Sequence, residues 1–259
     1  MAKQKRKTGT REWAEVSKNI MFGCRNNCRY CYARRNACRF GQLSDPGGWT
    51  TMVQSAGSHA AFRKEKGRIM FPTAHDLFPD HLPAIEKNLR GWLDKGNSIL
   101  IVTKPRQDVI EHLVDILDPS DPVVFRFTIG SMDDEILRFW EPGAPSFSER
   151  FTCLRLANSE GFITSVSSEP FLDGDVVRMA KLLLPYVSDS MWIGKMNRIR
   201  ERVDVTGWSE QDLRFLSAVE IVQRDEAILE IYESLKDEPK IRWKDSVKTL
   251  LGLPEENIG

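Results

Sequence analysis

No apolar run in this chain of 259 residues approaches the ~20 that a membrane-spanning helix needs, so no membrane partner is expected. The start Met1-Ala2-Lys3-Gln4-Lys5-Arg6-Lys7 is basic but lacks the apolar segment of a secretory signal, and export is not expected. A net charge is lacking as well, because 37 basic side chains are matched by 37 acidic ones. Phosphate contacts dominate nucleic-acid affinity, so this balance weakens the case for a nucleic-acid protein without removing it. There is no solenoid repeat, and no low-complexity tract beyond the lysine-rich start. Only 5 cysteines are present, and three crowd into one short run, which suits a reducing cytoplasm better than a disulfide framework. What remains is an ordinary globular composition, 41% hydrophobic and 29% charged, with enough chain for one large α/β domain.

The crowded run is Gly23-Cys24-Arg25-Asn26-Asn27-Cys28-Arg29-Tyr30-Cys31-Tyr32. Thiolates are the usual protein ligands of iron-sulfur clusters, and three of them on a four-iron cubane leave one iron open to a small molecule. A zinc site is the alternative. Zinc knuckles favour paired C-x-x-C units and four protein ligands, whereas one C-x-x-C occurs here and Cys38 would have to serve as the fourth. Cys38 and Cys153 otherwise read as packing residues.

The pattern C-x-x-x-C-x-Y-C resembles the signature of the radical SAM superfamily. The resemblance implies a 4Fe-4S cluster on Cys24, Cys28 and Cys31, with Tyr30 packing near cluster and cofactor. It implies S-adenosyl-L-methionine chelated to the open iron and cleaved reductively to a 5′-deoxyadenosyl radical. It also implies an electron donor such as flavodoxin or ferredoxin. No second cysteine group is present, so a single cluster is expected.

Short β-type runs at 19–22, 68–71, 98–103, 123–129, 162–167 and 191–194 alternate with helical patterns at 32–40, 82–95, 109–117, 133–140, 147–160 and 176–187. One further helix is read around 60–64. This alternation predicts α/β structure with a parallel sheet, and six such units match the partial (β/α)6 TIM-like barrel that the superfamily commonly uses. From about Ser209 the apolar spacing predicts long amphipathic helix packed outside the barrel. The expected organisation is a basic segment at 1–16, a partial-barrel core at 17–206 and a helical C-terminal extension at 207–259.

Ligand sites in parallel α/β proteins lie at the carboxyl ends of the strands. That rule selects Thr73, His75 and Asp76, then Lys104, Ser131, Ser167, Ser168, Glu169, Lys195 and Asn197. Lys104 and Lys195 suit the cofactor carboxylate, Ser131 and Ser168 its ribose or carboxylate, and Glu169 a ribose hydroxyl. His75 reads either as a loop hydrogen-bonder or as a proton shuttle. The segments Phe71-Pro72-Thr73-Ala74-His75-Asp76, Thr103-Lys104-Pro105 and Ser168-Glu169-Pro170 look like the spore photoproduct lyase-like branch of the superfamily, over roughly residues 17–200. The Gly-Gly-Glu/Asp pattern frequent in the superfamily near the second strand, which contacts the cofactor amino group, is missing. Here Phe71 to Asp76 takes that place, leaving Thr73 or backbone carbonyls for the task.

Residues 1–40 hold eleven basic side chains, Arg34 and Arg35 among them, against Glu12 and Glu15. They read either as a polyanion-binding surface or as a solvated tail and helix face. The expectation is therefore a radical S-adenosylmethionine enzyme that abstracts a hydrogen atom from a substrate, with nucleic acid or nucleotide favoured. The alternative is a noncatalytic zinc- or cluster-bearing nucleic-acid-binding protein.

Overall fold

A computed structural model describes residues 8–55 and 61–254. Its main sheet has seven strands in the order β1 (Val16–Ser17), β4 (Ile69–Phe71), β5 (Ile99–Thr103), β6 (Val123–Thr128), β7 (Ile163–Ser168), β8 (Met191–Ile193) and β9 (Ile241–Trp243), all parallel. Ile69, Ile99 and Val123 stand level across three of them. β4 and β6 are buried along their whole length, as a parallel sheet covered on both faces requires. The covering helices are α2 (Leu82–Leu93), α3 (Gln107–Ile116), α4 (Asp134–Trp140), α5 (Phe147–Ser159) and α6 (Val176–Leu183). Cys153 packs inside this core as expected. The architecture is the α/β parallel sheet that the alternation of strand and helix predicts, in the partial-barrel form that the resemblance implies.

Three local expectations need correction. The run at 19–22 does not enter the main sheet: β2 (Met21–Phe22) pairs antiparallel with β3 (Val53–Gln54), and Val16–Ser17 supplies the sheet edge instead. Asn19 marks the departure. Its Oδ1 accepts from Thr73 N at 2.9 Å and Ala74 N at 2.8 Å, and its Nδ2 donates to Thr73 Oγ1 at 2.8 Å, so the chain turns across the end of β4. Residues 61–64 are not helical, and Ala60 and His59 lie outside the described residues. Asn97 holds this stretch extended, donating to Arg63 O at 2.9 Å and accepting from Glu65 N at 2.8 Å.

The C-terminal part is not helical throughout. After α7 (Ile199–Arg202), a Ser209–Asp212 capping box starts α8 (Glu210–Val222), and the chain breaks before α9 (Asp225–Leu235). Gln223 sits in the break, accepting from Met196 N and donating to Phe171 O. Ile241–Trp243 then pairs with β8 before α10 (Asp245–Leu251). Three residues are too few to stand out from a helical background, and the open edge of β8 is what makes them a strand.

The sheet does not close on itself. Residues of the first 3-10 turn, Gly9–Glu12, meet the strand at the opposite edge through Lys244, whose buried Nζ pairs with Glu12 at 2.8 Å and donates to Gly9 O at 2.8 Å. Trp13 lies under that ammonium, 4.0 Å from ring centroid to Nζ, and over the Arg126 guanidinium at 4.8 Å. Lys3 to Lys7 of the basic start, and residues 255–259, lie outside the described residues.

His75 takes the loop hydrogen-bonding role. Ile20 N donates to its Nε2 at 3.1 Å, so the ring proton is on Nδ1, which donates to Asp76 O at 2.9 Å. Burial disfavours a second proton and pushes the group from its usual 6.5 down to about 4. A base whose affinity for protons drops on folding is charged more readily when unfolded. Its contribution to stability, ~3 kcal/mol, is therefore whole at pH 7 and is lost as pH falls from about 6.5 towards 4. Denaturant unfolding at pH 7 and pH 5 checks this: His75→Gln should flatten the difference, and an undiminished pH dependence in the variant would refute it.

Candidate active site

The cysteine loop has almost no regular structure of its own, and other loops hold it. Gly23 precedes the first cysteine at φ +90°, and a side chain there would overlap the carbonyls of Trp49 and Thr51. Cys24 N donates to Trp49 O at 2.8 Å. Asn26 is 1% exposed: its Nδ2 donates to Asp76 Oδ2 at 2.6 Å, its Oδ1 accepts from Arg106 Nη2 at 2.8 Å, and its carbonyl accepts from Gly143 N at 3.0 Å. Arg29 N donates to Trp140 O at 2.8 Å, and its Nε to Phe139 O at 2.7 Å. Cys31 then caps α1 (Tyr32–Arg39), accepting from Arg34 N at 3.4 Å.

Cys24, Cys28 and Cys31 share one wall of a cavity of about 500 Å³ at the carboxyl ends of the strands. Burial, and then the Asp76 carboxylate, push the Cys24 thiol up to about 12. Burial raises the Cys28 thiol as well, with Lys104 opposing it. Thiols in such a wall keep their protons until a cation replaces them. Burial also raises Asp76. It works against the Lys104 ammonium too, but the charges of Cys28 once it is a thiolate, of Glu141 and of Asp76 outweigh it, and Lys104 stays protonated. Among the described residues no three His, Cys, Asp or Glu side chains converge on a single ion position. A cubane does not ask for that, since each thiolate binds a different iron. Three sulfur donors lining one cavity beside a protonated lysine fit an anionic iron-sulfur cluster. Cys38 sits two turns along α1, about 10 Å from Cys31, and is not in the cavity wall.

Beside Tyr30 of the cysteine motif, the cavity gathers Thr73, His75, Asp76, Lys104, Ser167, Glu169, Lys195 and Asn197 from the residues selected at strand ends. Ser131 and Ser168 fall outside it. Ser131 Oγ accepts from Asp133 N at 2.8 Å and shapes the turn into α4. Side chains alternate along a strand, so Ser165 and Ser167 face inward, Ser165 towards Arg126 and Ser167 towards the cavity, while Ser168 turns its hydroxyl away. Glu169 reaches in and pairs with Lys244 at 3.2 Å; burial raises its carboxyl and Lys244 opposes that. Lys195 is less committed, 26% exposed and 3.5 Å from Asp225.

Sequence reasoning missed Asn26, Glu141, Lys244 and Arg202. Only Arg202 had a signal, the basic run from Lys195 that follows the sixth strand. It lines the cavity and lies over the Tyr32 ring, 5.9 Å from its centroid.

A family model described as the radical SAM superfamily matches residues 18–179. An uncharacterized protein of Methanocaldococcus jannaschii is 23% identical over 145 residues, 55% of each chain. An uncharacterized protein of Acidianus two-tailed virus is 26% identical over 173 residues, 62% of this chain and 57% of its own. The chain thus spans little more than half the length of these curated relatives. Among solved structures, a spore photoproduct lyase double variant with bound AdoMet and dinucleoside spore photoproduct superposes with TM-score 0.55 at 16% identity, over 89% of this chain and 76% of that one. A single variant of the same lyase gives TM-score 0.55 at 15% identity. These likenesses show a shared fold. The family match covers more than half of the chain and contains both the cysteine loop and four of the parallel strands, and the chain belongs to the radical SAM superfamily.

Proposed function

We propose that this protein is a radical S-adenosylmethionine enzyme in which Cys24, Cys28 and Cys31 hold a 4Fe-4S cluster and the adjoining cavity takes S-adenosyl-L-methionine. The observation that carries the reading is the meeting of three thiols, those of Cys24 and Cys28 buried and that of Cys31 partly so, with a protonated lysine in the lining of one cavity. When bound, cluster and cofactor supply reductive cleavage of S-adenosylmethionine and abstraction of a hydrogen atom from the substrate. The chain's own residues bind and orient. Lys104, its side chain only 14% exposed, offers the stronger counter-charge to the cofactor carboxylate, and Lys195 a second. Thr73, held by Asn19, presents its hydroxyl to the amino group, while its carbonyl accepts from the Tyr32 hydroxyl. Glu169 accepts from a ribose hydroxyl, and Tyr30 packs beside the cofactor. Met70, Val102 and Met196 keep the wall dry. The catalytic core is assigned to 17–206, with 1–16 and 207–259 flanking it. The setting is cytoplasmic, with flavodoxin or ferredoxin as donor; among the described residues no helix is long and apolar enough to cross a membrane.

The substrate class we favour is nucleic acid or nucleotide. The lyase with a similar fold holds a dinucleoside. The charge argument moves, however, from Arg34 to its neighbours. Arg34 folds into the cysteine loop, donating to Asn27 Oδ1 at 2.7 Å and Arg29 O at 3.2 Å, and Arg25 pairs with Asp80. Arg35 and Arg198 lie at the surface sharing the single carboxylate of Glu201, and Arg200 pairs there with Glu220, with Phe40 69% exposed at the end of α1. Exposed cations with an aromatic ring suit a single strand.

Anaerobic reconstitution followed by iron, sulfide and zinc analysis and assay of S-adenosylmethionine cleavage tests the whole reading. Cys28→Ala should lose both cluster and cleavage, while Cys38→Ala keeps them; stoichiometric zinc in place of iron would overturn the proposal. Lys104→Ala should retain iron but bind S-adenosylmethionine about tenfold or more weakly in equilibrium dialysis, with Lys195→Ala losing less. Wild-type affinity in both variants would remove the lysines from the cofactor site. Binding of a short single-stranded oligonucleotide should weaken with salt, with a log–log slope of about 0.7 per neutralised phosphate. Arg35→Gln with Arg198→Gln should lower that slope, and no binding at low salt would point to a peptide or small metabolite instead.

A further inference from the structure

Beneath the cysteine loop lies a pair of opposite charges that the cluster and cofactor assignments leave unused. Glu141 ends α4 and is 1% exposed; Arg150, in α5, is 0% exposed. Arg150 Nη2 sits 2.6 Å from Glu141 Oε2 as an ion pair, and the same guanidinium donates to Pro145 O at 2.9 Å and Thr128 O at 3.2 Å. The other carboxylate oxygen, Oε1, accepts the hydroxyl of Tyr30 and lies 3.7 Å from Lys104 Nζ. Tyr30 stands between Cys28 and Cys31, so one hydrogen bond joins this carboxylate to the loop that carries the thiols. Burial disfavours the Glu141 charge, but Arg150 and Lys104 outweigh it and hold the carboxyl below its usual range. Well-packed apolar residues of similar volume serve stability as well as such a pair or better. Its cost therefore calls for another return.

Resting on the function proposed above, we propose that the Glu141–Arg150 pair tunes the reduction potential of the cluster held by the cysteine loop, Glu141 lowering it and Arg150 raising it. One-electron reduction by a low-potential donor adds one negative charge to the cluster with no bond made or broken. In a buried, low-dielectric setting that charge is repelled by a nearby carboxylate and attracted by a guanidinium. Net charge and hydrogen bonding near the cluster are established controls of iron-sulfur potentials. Both residues are positioning groups: neither touches the cavity.

The test is a potentiometric titration of the anaerobically reconstituted protein, followed by the electron paramagnetic resonance signal of the reduced cluster. Glu141→Gln keeps an acceptor for Tyr30 and removes the charge; its potential should rise. Arg150→Met should lower it. Loosening of the loop alone would move both variants the same way, so shifts of one sign overturn the inference, as do unmoved potentials. Where Arg150→Met alone fails to fold because Glu141 is left unpaired, the double variant decides. Its potential should return from that of Glu141→Gln towards the wild type, and failure to return overturns the inference. A protein that takes up no iron overturns the proposed function and this inference together, whereas a full cluster with unmoved potentials overturns this inference alone.

Discussion

A buried loop without helix or strand must find partners for its polar groups elsewhere, and the cysteine loop finds them at Asn26 and Asp76. Asp76 is 7% exposed and accepts from Asn26 Nδ2, Leu77 N, Lys104 N and the Thr103 hydroxyl. It thereby ties the ends of β4 and β5 to the thiol-bearing segment. On the other side, Gly143 N and the Trp140 carbonyl hold the loop against the connection between α4 and α5. A side chain at Gly143 would overlap the Arg25 carbonyl, so the two backbones meet directly. The position of all three thiols depends on these contacts, because the loop has no ladder of its own to stiffen it.

The cavity that results is divided in charge. Near the thiols, Lys104 is held protonated among Cys28, Glu141 and Asp76. At the other end, Glu169 shares Lys244 with Glu12, and Arg202 is the further cation close to it. Such an arrangement suits a zwitterion with a carboxylate at one end and a polyhydroxyl group at the other. It also makes the site depend on distant parts of the chain. Lys244 and Glu12 stand more than two hundred residues apart, yet together they orient a carboxylate from the end of β7. The open side of the barrel is thus closed by the same ammonium that steadies the cavity.

Spacing alone located the cysteines. Three thiols, one aromatic residue and no partner C-x-x-C form a local pattern, and local patterns survive in one dimension. The strands with long apolar runs, such as 98–103 and 123–129, were equally plain, because burial on both faces demands continuous hydrophobicity. The residues at their ends followed from the rule that parallel strands present loops at one edge. Short elements were not legible: Val16–Ser17 and Ile241–Trp243 become strands only because an unpaired edge waits for them.

The chain by itself determined the three-cysteine pattern, the alternation of strand and helix, and the polar residues that end the strands. Each of these is written in neighbouring residues and in periods of two or of three to four. Tertiary structure decided which of those residues face the cavity. Ser167 was selected over Ser168 by the pleat of β7, and Ser131 was spent on a turn. It decided that Arg34 serves the cysteine loop rather than the surface, and that Glu141, Arg150 and Lys244 matter at all. A buried charge is defined by its partner, and partners that lie far apart in sequence meet only when the sheet has brought its edges and loops together.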